Sequence, residues 1–159
     1  SQRAGAKLLY SFSDDEFGKR FEMAYRLIAS GFPAQLLHLS VGSFDTHSDQ
    51  LESHAKQLSR FDAAAHAFLE NLKSLGRPTT IMVYSEFGRR VAENFSGGTD
   101  HGAGGLAWIM GENVKGGIHG HYQLEDLRDG DLPTVVNYRT LYGKAVAASF
   151  GEQKSLALF

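Results

Sequence analysis

Residues 35–41 have the sequence QLLHLSV, a short and mostly apolar run that lies between Gly31 and Gly42. A run of this length is too short for an amphipathic helix and is typical of a strand that is buried on both faces. A second run of the same kind, TTIMVY at residues 79–84, follows a long periodic segment. We therefore predict two buried strands that are joined by a helix.

Three helices are predicted from periodic apolar residues and from the signals at their ends. The clearest covers about residues 49–75, where apolar side chains recur every three or four positions. A second covers about residues 14–30 and begins with a capping-box pattern. A last helix is expected to start after Asn137 and to stop at Gly151.

The order of these elements predicts the fold class. A strand, a helix and a strand within residues 35–84 form a βαβ unit, whose two strands should be parallel and whose crossover should be right-handed. Residues 106–110 (LAWIM) predict a third short strand. We predict an α/β fold with a mostly parallel sheet that is flanked by helices.

Composition limits the size of the protein and the classes of partner. The 159 residues suffice for one domain, which we place at residues 1–159. With 16 basic and 18 acidic side chains the net charge is -2, which gives no electrostatic case for nucleic acid or a membrane surface. The absence of cysteine excludes disulfides and thiolate metal sites, and no apolar run has the length of a membrane-spanning helix.

Polar residues cluster where the predicted strands end. In a parallel sheet, ligands bind beyond the carboxyl ends of the strands, so these side chains should lie at one edge. Asp45 and His47 follow the first predicted strand, Glu86 and Arg89 follow the second, and Asp100 and His101 precede the third.

Asp45 and His47 are two residues apart, so in an extended segment both side chains leave the same side of the backbone. A carboxylate and an imidazole together suit Zn, Mn or Fe and, less well, Mg. The alternative interpretation is a turn or cap residue followed by a solvated histidine. Asp100 and His101 lie in a glycine-rich loop, which either approaches a ligand closely or forms a mobile Asx turn.

Glu86 and Arg89 follow the second predicted strand directly. Glu86 is either a ligand, a partner of a metal-bound histidine, or the ion-pair partner of Arg89. The planar guanidinium of Arg89 suits an anionic group as well. His119 and His121 form another closely spaced pair, which we interpret as an exposed loop pair.

Four motifs together resemble the domain-of-unknown-function family numbered 1501 over roughly residues 14–151. They are GSFDTH at residues 42–47, SEFGR at 85–89, GTDHG at 98–102 and NYR at 137–139. That family is grouped with the alkaline phosphatase and sulfatase superfamily. The resemblance implies a fold of that type and the hydrolysis of phosphate or sulfate esters at one or two metal ions held by Asp and His.

The resemblance also assigns roles to individual residues. It implies Asp45 and His47 as one ligand pair and Asp100 with His101 as another. Phe87 stands where superfamily enzymes have a histidine beside the position of Glu86, so one ligand of a two-metal site is missing.

Similar proteins are more than twice as long and often carry an export signal. The resemblance therefore implies that this chain is the C-terminal part of a longer architecture, with an incomplete alkaline phosphatase-like fold, and it suggests an exported or periplasmic protein.

Two functional hypotheses follow. The first is a metal-dependent hydrolase-like domain of phosphatase or sulfatase type, inactive if the N-terminal half is required. It would use a divalent Zn, Mn or Mg ion and a small anionic ester, with Glu86 and Arg89 at catalytic positions. The second is a non-catalytic binding or oligomerisation module that retains the fold. A homo-oligomer is predicted in both cases, because an incomplete sheet exposes a strand edge that can pair with another copy.

Overall fold

The protein is described here by a computed structural model, which covers residues 7–158. The chain divides into two compact units. Of the described residues, the first unit, the helical unit, takes in residues 7–45 and 51–78. The second, the sheet unit, takes in residues 46–50 and 79–158.

Two long helices build the helical unit, and both confirm the prediction from the sequence. Helix α1 spans Glu16–Ala29 and helix α2 spans Gln50–Ser74. Helix α1 is capped by Asp15, whose carboxylate accepts a hydrogen bond of 2.9 Å from the backbone N–H of Gly18.

Aromatic side chains from both helices form the core of the helical unit. The rings of Phe21 and Phe68 lie 5.3 Å apart at their centroids, and those of Phe21 and Phe61 lie 6.0 Å apart. Both contacts are edge-to-face, the geometry that aromatic quadrupoles favour. The spacing of three to four residues between buried positions puts these rings on one face of each helix.

The sheet unit contains four short strands in two antiparallel pairs. Strand β1 (Thr80–Val83) pairs with β4 (Trp108–Gly111), and β2 (Gly88–Arg89) pairs with β3 (His101–Gly102). The backbones of β2 and β3 lie so close together that a Cβ atom on Gly102 would overlap the backbone of Arg89. The second predicted strand is therefore confirmed as β1, and the third is confirmed with its start shifted to Trp108.

The predicted parallel sheet is wrong. Within residues 7–158 both sheets are two-stranded and antiparallel, so the fold is mostly helical rather than α/β with a mostly parallel, alkaline phosphatase-like sheet. Residues 35–41 form no strand. The reason is the choice of partner, since β1 pairs with β4 further along the chain and not with the apolar run that precedes α2.

Two further helices end the chain. Helix α3 (Tyr138–Phe150) begins after Asn137, whose side chain accepts a 2.9 Å hydrogen bond from the backbone N–H of Arg139, and it stops at Gly151 as predicted. Helix α4 follows as Glu152–Leu158. None of the helices in the described part of the chain combines the length and the apolar character that crossing a membrane requires.

Candidate metal site

The candidate site lies where the segment 46–50 meets the loop 94–98 and the β2–β3 hairpin. Antiparallel pairing sets Arg89 opposite His101. The backbone N–H of Arg90 donates a 3.0 Å hydrogen bond to the carbonyl of Asp100, which continues the ladder by one residue. This local pairing, rather than the edge of a parallel sheet, positions Asp100 and His101.

Three of the four predicted metal ligands come together. One ligand atom each of Asp45, His47 and His101 lies within 4.8 Å of the others, and all three residues are exposed. The rings of His47 and His101 have centroids 5.0 Å apart. Asp45 precedes His47 by only two residues, so the short covalent connection keeps its carboxylate near that ring.

Asp100, the fourth predicted ligand, contacts His47 instead. Its Oδ1 lies 3.1 Å from His47 Nδ1. Since an ionised carboxylate only accepts hydrogen bonds, this contact places the proton of neutral His47 on Nδ1 and the lone pair on Nε2. A carboxylate behind a histidine in this way is the usual partner of a metal-bound imidazole.

The charge of Asp100 is stabilised by its neighbours. Hydrogen bonds from His47 and then from Asn94 hold the pKa of Asp100 below its ordinary value of 3.8, with a smaller contribution from the charge of Arg90. Partial desolvation opposes this shift and is outweighed. Asp100 is therefore ionised at neutral pH, as the role of hydrogen-bond acceptor requires.

His101 is held by an aromatic stack. Its ring lies 3.9 Å from that of Phe87 at an interplanar angle of 7°. The guanidinium of Arg89 lies 4.9 Å from the Phe87 centroid, and its Nη1 donates hydrogen bonds to the carbonyls of Thr46, at 2.8 Å, and Thr99. Arg89 thus ties the segment 46–50 to the residues that precede β3.

The other predicted residues lie outside this group. Glu86 is exposed between β1 and β2, and its catalytic role, like that of Arg89, stays a prediction. His119 and His121 are exposed in a stretch without regular secondary structure, as the sequence predicted.

Asn94 and Gln50 also contact the residues around the site, and neither was predicted from the sequence. Asn94 is hydrogen-bonded to both His47 and Asp100. Gln50 accepts a 3.0 Å hydrogen bond from the hydroxyl of Thr99 and donates to that of Thr46 at 3.2 Å. The order Asn94, Ser96, Gly97 is a typical Asx-turn signal that could have identified Asn94 as a structured position.

The family comparison agrees with the motifs. Residues 2–147 match the model of a family described as "Protein of unknown function (DUF1501)". No curated protein and no solved structure matches the chain. Because the family match spans most of the sequence, the chain belongs to the DUF1501 family.

Proposed function

We propose that the chain binds a divalent metal ion through Asp45, His47 and His101 and acts as a metal-dependent hydrolase-like domain of phosphatase or sulfatase type. The convergence of these three ligand atoms within 4.8 Å carries the proposal. The type of reaction, the relation to the alkaline phosphatase and sulfatase superfamily, and the position as the C-terminal part of a longer architecture rest on the motif resemblance alone.

The donor set fits a divalent metal. One carboxylate oxygen and two imidazole nitrogens are ligands that Zn²⁺ and Mn²⁺ accept, and three protein ligands leave a position open. Around tetrahedral zinc with Zn–N near 2.1 Å, ligand atoms lie about 3.4 Å apart. The observed limit of 4.8 Å exceeds this spacing by about 1.4 Å, a difference that small rotations of the side chains would close.

The residues around the group have distinct tasks in this proposal. A divalent metal held by Asp45, His47 and His101 would supply positive charge that could polarise an ester oxygen. Asp100 keeps the proton of His47 on Nδ1, and the stacked ring of Phe87 restricts rotation of the His101 ring. Arg89 adds a fixed positive charge beside Phe87, which suits an anionic ester.

Metal binding is tested first. Metal-depleted protein is titrated calorimetrically with Zn²⁺, Mn²⁺ and Mg²⁺, and we expect one ion per chain. H47A and H101A should each weaken binding by about a hundredfold, because each removes one of three protein ligands. The double variant H119A/H121A removes two exposed histidines outside the group and should bind like the original protein. Equal affinity in all four proteins refutes the proposed site.

Turnover is tested next with p-nitrophenyl phosphate and p-nitrophenyl sulfate, each with and without the metal that binds. Metal-dependent cleavage that D45A and H101A abolish supports the hydrolase. Metal binding without cleavage of either ester refutes hydrolysis and leaves the non-catalytic module. One observation favours that alternative: Asp45, His47 and His101 are all exposed. Electrostatic stabilisation of a transition state is stronger in a site that is shielded from bulk solvent.

A further inference from the structure

We propose that Asn94 is the positioning residue of this site, which holds the Asp100 carboxylate and the His47 backbone in the arrangement that metal binding requires. The inference rests on the proposed metal site and adds a residue to it that neither the motifs nor the family match assign. It follows from the way in which one carboxamide connects three segments of the sheet unit.

The carboxamide of Asn94 uses all of its hydrogen-bonding capacity. Its Nδ2 donates to the carbonyl of His47 at 3.0 Å and to Oδ1 of Asp100 at 3.2 Å. Its Oδ1 accepts the backbone N–H groups of Ser96 at 2.9 Å and Gly98 at 3.1 Å. An amide has two donors and two acceptor positions, so this one is saturated. A flipped amide would oppose oxygen to oxygen and N–H to N–H, which fixes its orientation.

The loop 94–98, which the Asn94 carboxamide closes, also forms backbone hydrogen bonds with the start of α2. The carbonyls of Ser96 and Gly97 accept the backbone N–H groups of Asp49, at 3.2 Å, and Gln50, at 2.9 Å. Gly98 is buried so tightly that a Cβ atom there would overlap the backbone of His47. The backbone of His47 is therefore fixed by the same loop that presents the Asn94 amide.

Asp100 depends on this amide because its contact with His47 is exposed. The side chains of His47 and Asp100 are 48% and 59% exposed, and an isolated pair of that kind holds its geometry weakly. Asn94 donates to the same Oδ1 that His47 contacts, so the carboxylate has two partners instead of one. Without the Asn94 donor, Asp100 is expected to turn toward water and leave His47 Nδ1 unsupported.

The variant N94D separates positioning from loop formation. The new carboxylate can still accept the N–H groups of Ser96 and Gly98, but it presents an oxygen where Asp100 and the His47 carbonyl need a donor. We expect Zn²⁺ affinity to fall by about tenfold, the lower end of the loss seen when the partner of a ligating histidine is removed, because Asn94 acts on the His47 ring through Asp100. N113D makes the same chemical change at an exposed asparagine outside the site and should leave the affinity unchanged.

A double-mutant cycle tests whether Asn94 acts through Asp100. N94D is compared with the original protein, and N94D/D100A is compared with D100A, so the charge that N94D adds is the same in both comparisons. We expect N94D to lower Zn²⁺ affinity by about tenfold in the original protein and by less than about twofold in the D100A background. A merely structural role for Asn94 predicts the same loss in both backgrounds. If N94D does not fold, N94S enters the same cycle, because its hydroxyl can still accept from the loop N–H groups but is too short to reach Asp100.

A second readout in the metal-free protein keeps this inference separate from the metal site. Nitrogen-15 shifts of the His47 ring report which nitrogen carries the proton. N94D should move His47 away from the Nδ1–H form, whereas N113D should leave the His47 shifts unchanged. If these shifts behave as expected while H101A binds Zn²⁺ like the original protein, the metal site fails and the positioning of His47 stands. Unchanged His47 shifts together with Zn²⁺ affinity within twofold of the original refute the role of Asn94.

Discussion

Replacing Asn71 by alanine is expected to destabilise the helical unit, because this residue ties the N-terminal segment to helix α2. Asn71 is 1% exposed. Its Oδ1 accepts the backbone N–H groups of Leu9 at 2.8 Å and Tyr10 at 3.2 Å, and its Nδ2 donates to the Tyr10 carbonyl at 2.8 Å. Alanine removes all three hydrogen bonds without adding bulk.

The expected cost follows from these contacts. At about 1 kcal/mol for each hydrogen bond, the loss is at most about 3 kcal/mol. Leu9 and Tyr10 are 64% and 44% exposed, so their freed backbone groups regain water and part of the loss is recovered. We expect N71A to lower the free energy of unfolding by about 2 kcal/mol. L72A, at the neighbouring fully buried position, should cost about 2–5 kcal/mol through the cavity that it leaves.

Urea unfolding followed by circular dichroism measures both losses, and hydrogen exchange distinguishes their causes. N71A should speed exchange of the Leu9 and Tyr10 amides more than the general loss of stability explains, whereas L72A should not. N113A, at an exposed asparagine, is the control. The reasoning is refuted if N71A unfolds within about 0.5 kcal/mol of the original protein, the range of a neutral surface change.

Two further predictions concern the candidate site. In the metal-free protein, the hydrogen bonds that Asp100 accepts lower its pKa below 3.8. The stabilisation that they give is therefore complete above pH 3.8 and is lost as the pH falls through the folded-state pKa. Carbon-13 titration of the Asp100 carboxyl should give a midpoint below 3.8, and a midpoint at or above 3.8 contradicts the contact with His47. G98A should lower the free energy of unfolding in urea by about 1–3 kcal/mol, because its Cβ would overlap the backbone of His47. G116A should leave that free energy unchanged, because a Cβ there meets nothing within 4 Å. Equal losses in both variants would disprove the close approach of Gly98 to His47.

The helices could be predicted from the sequence because their signals are local. The apolar spacing within residues 50–74 and the cap at Asn137 act within one or two turns, and the structure has both helices at the predicted positions. The buried Asn71 could not be anticipated in this way. Its partners lie 61 and 62 residues away in the chain, and an asparagine on a helix carries no signal for so distant a contact.

The prediction of a parallel sheet was wrong because strand pairing is not a local property of the sequence. Residues 35–41 have an apolar pattern that suits a buried strand, yet a strand exists only where a neighbour supplies hydrogen bonds. β1 obtains them from β4 in an antiparallel register that sets Ile81 opposite Met110. Alternation and composition predict that a segment can form a strand, but they do not state the direction or the identity of its partner.

The convergence of Asp45, His47 and His101 was expected from a parallel sheet edge, and the structure brings them together without that sheet. The reason is that each is placed by short-range connections: only Thr46 separates Asp45 from His47, and the β2–β3 ladder fixes His101 opposite Arg89. The remaining distance is bridged by the loop 94–98, whose asparagine and glycine need only turn chemistry to form. A group of residues assembled from local turns and one short hairpin does not depend on how the larger sheet is arranged, which is why these three residues lie together although the predicted fold class is wrong.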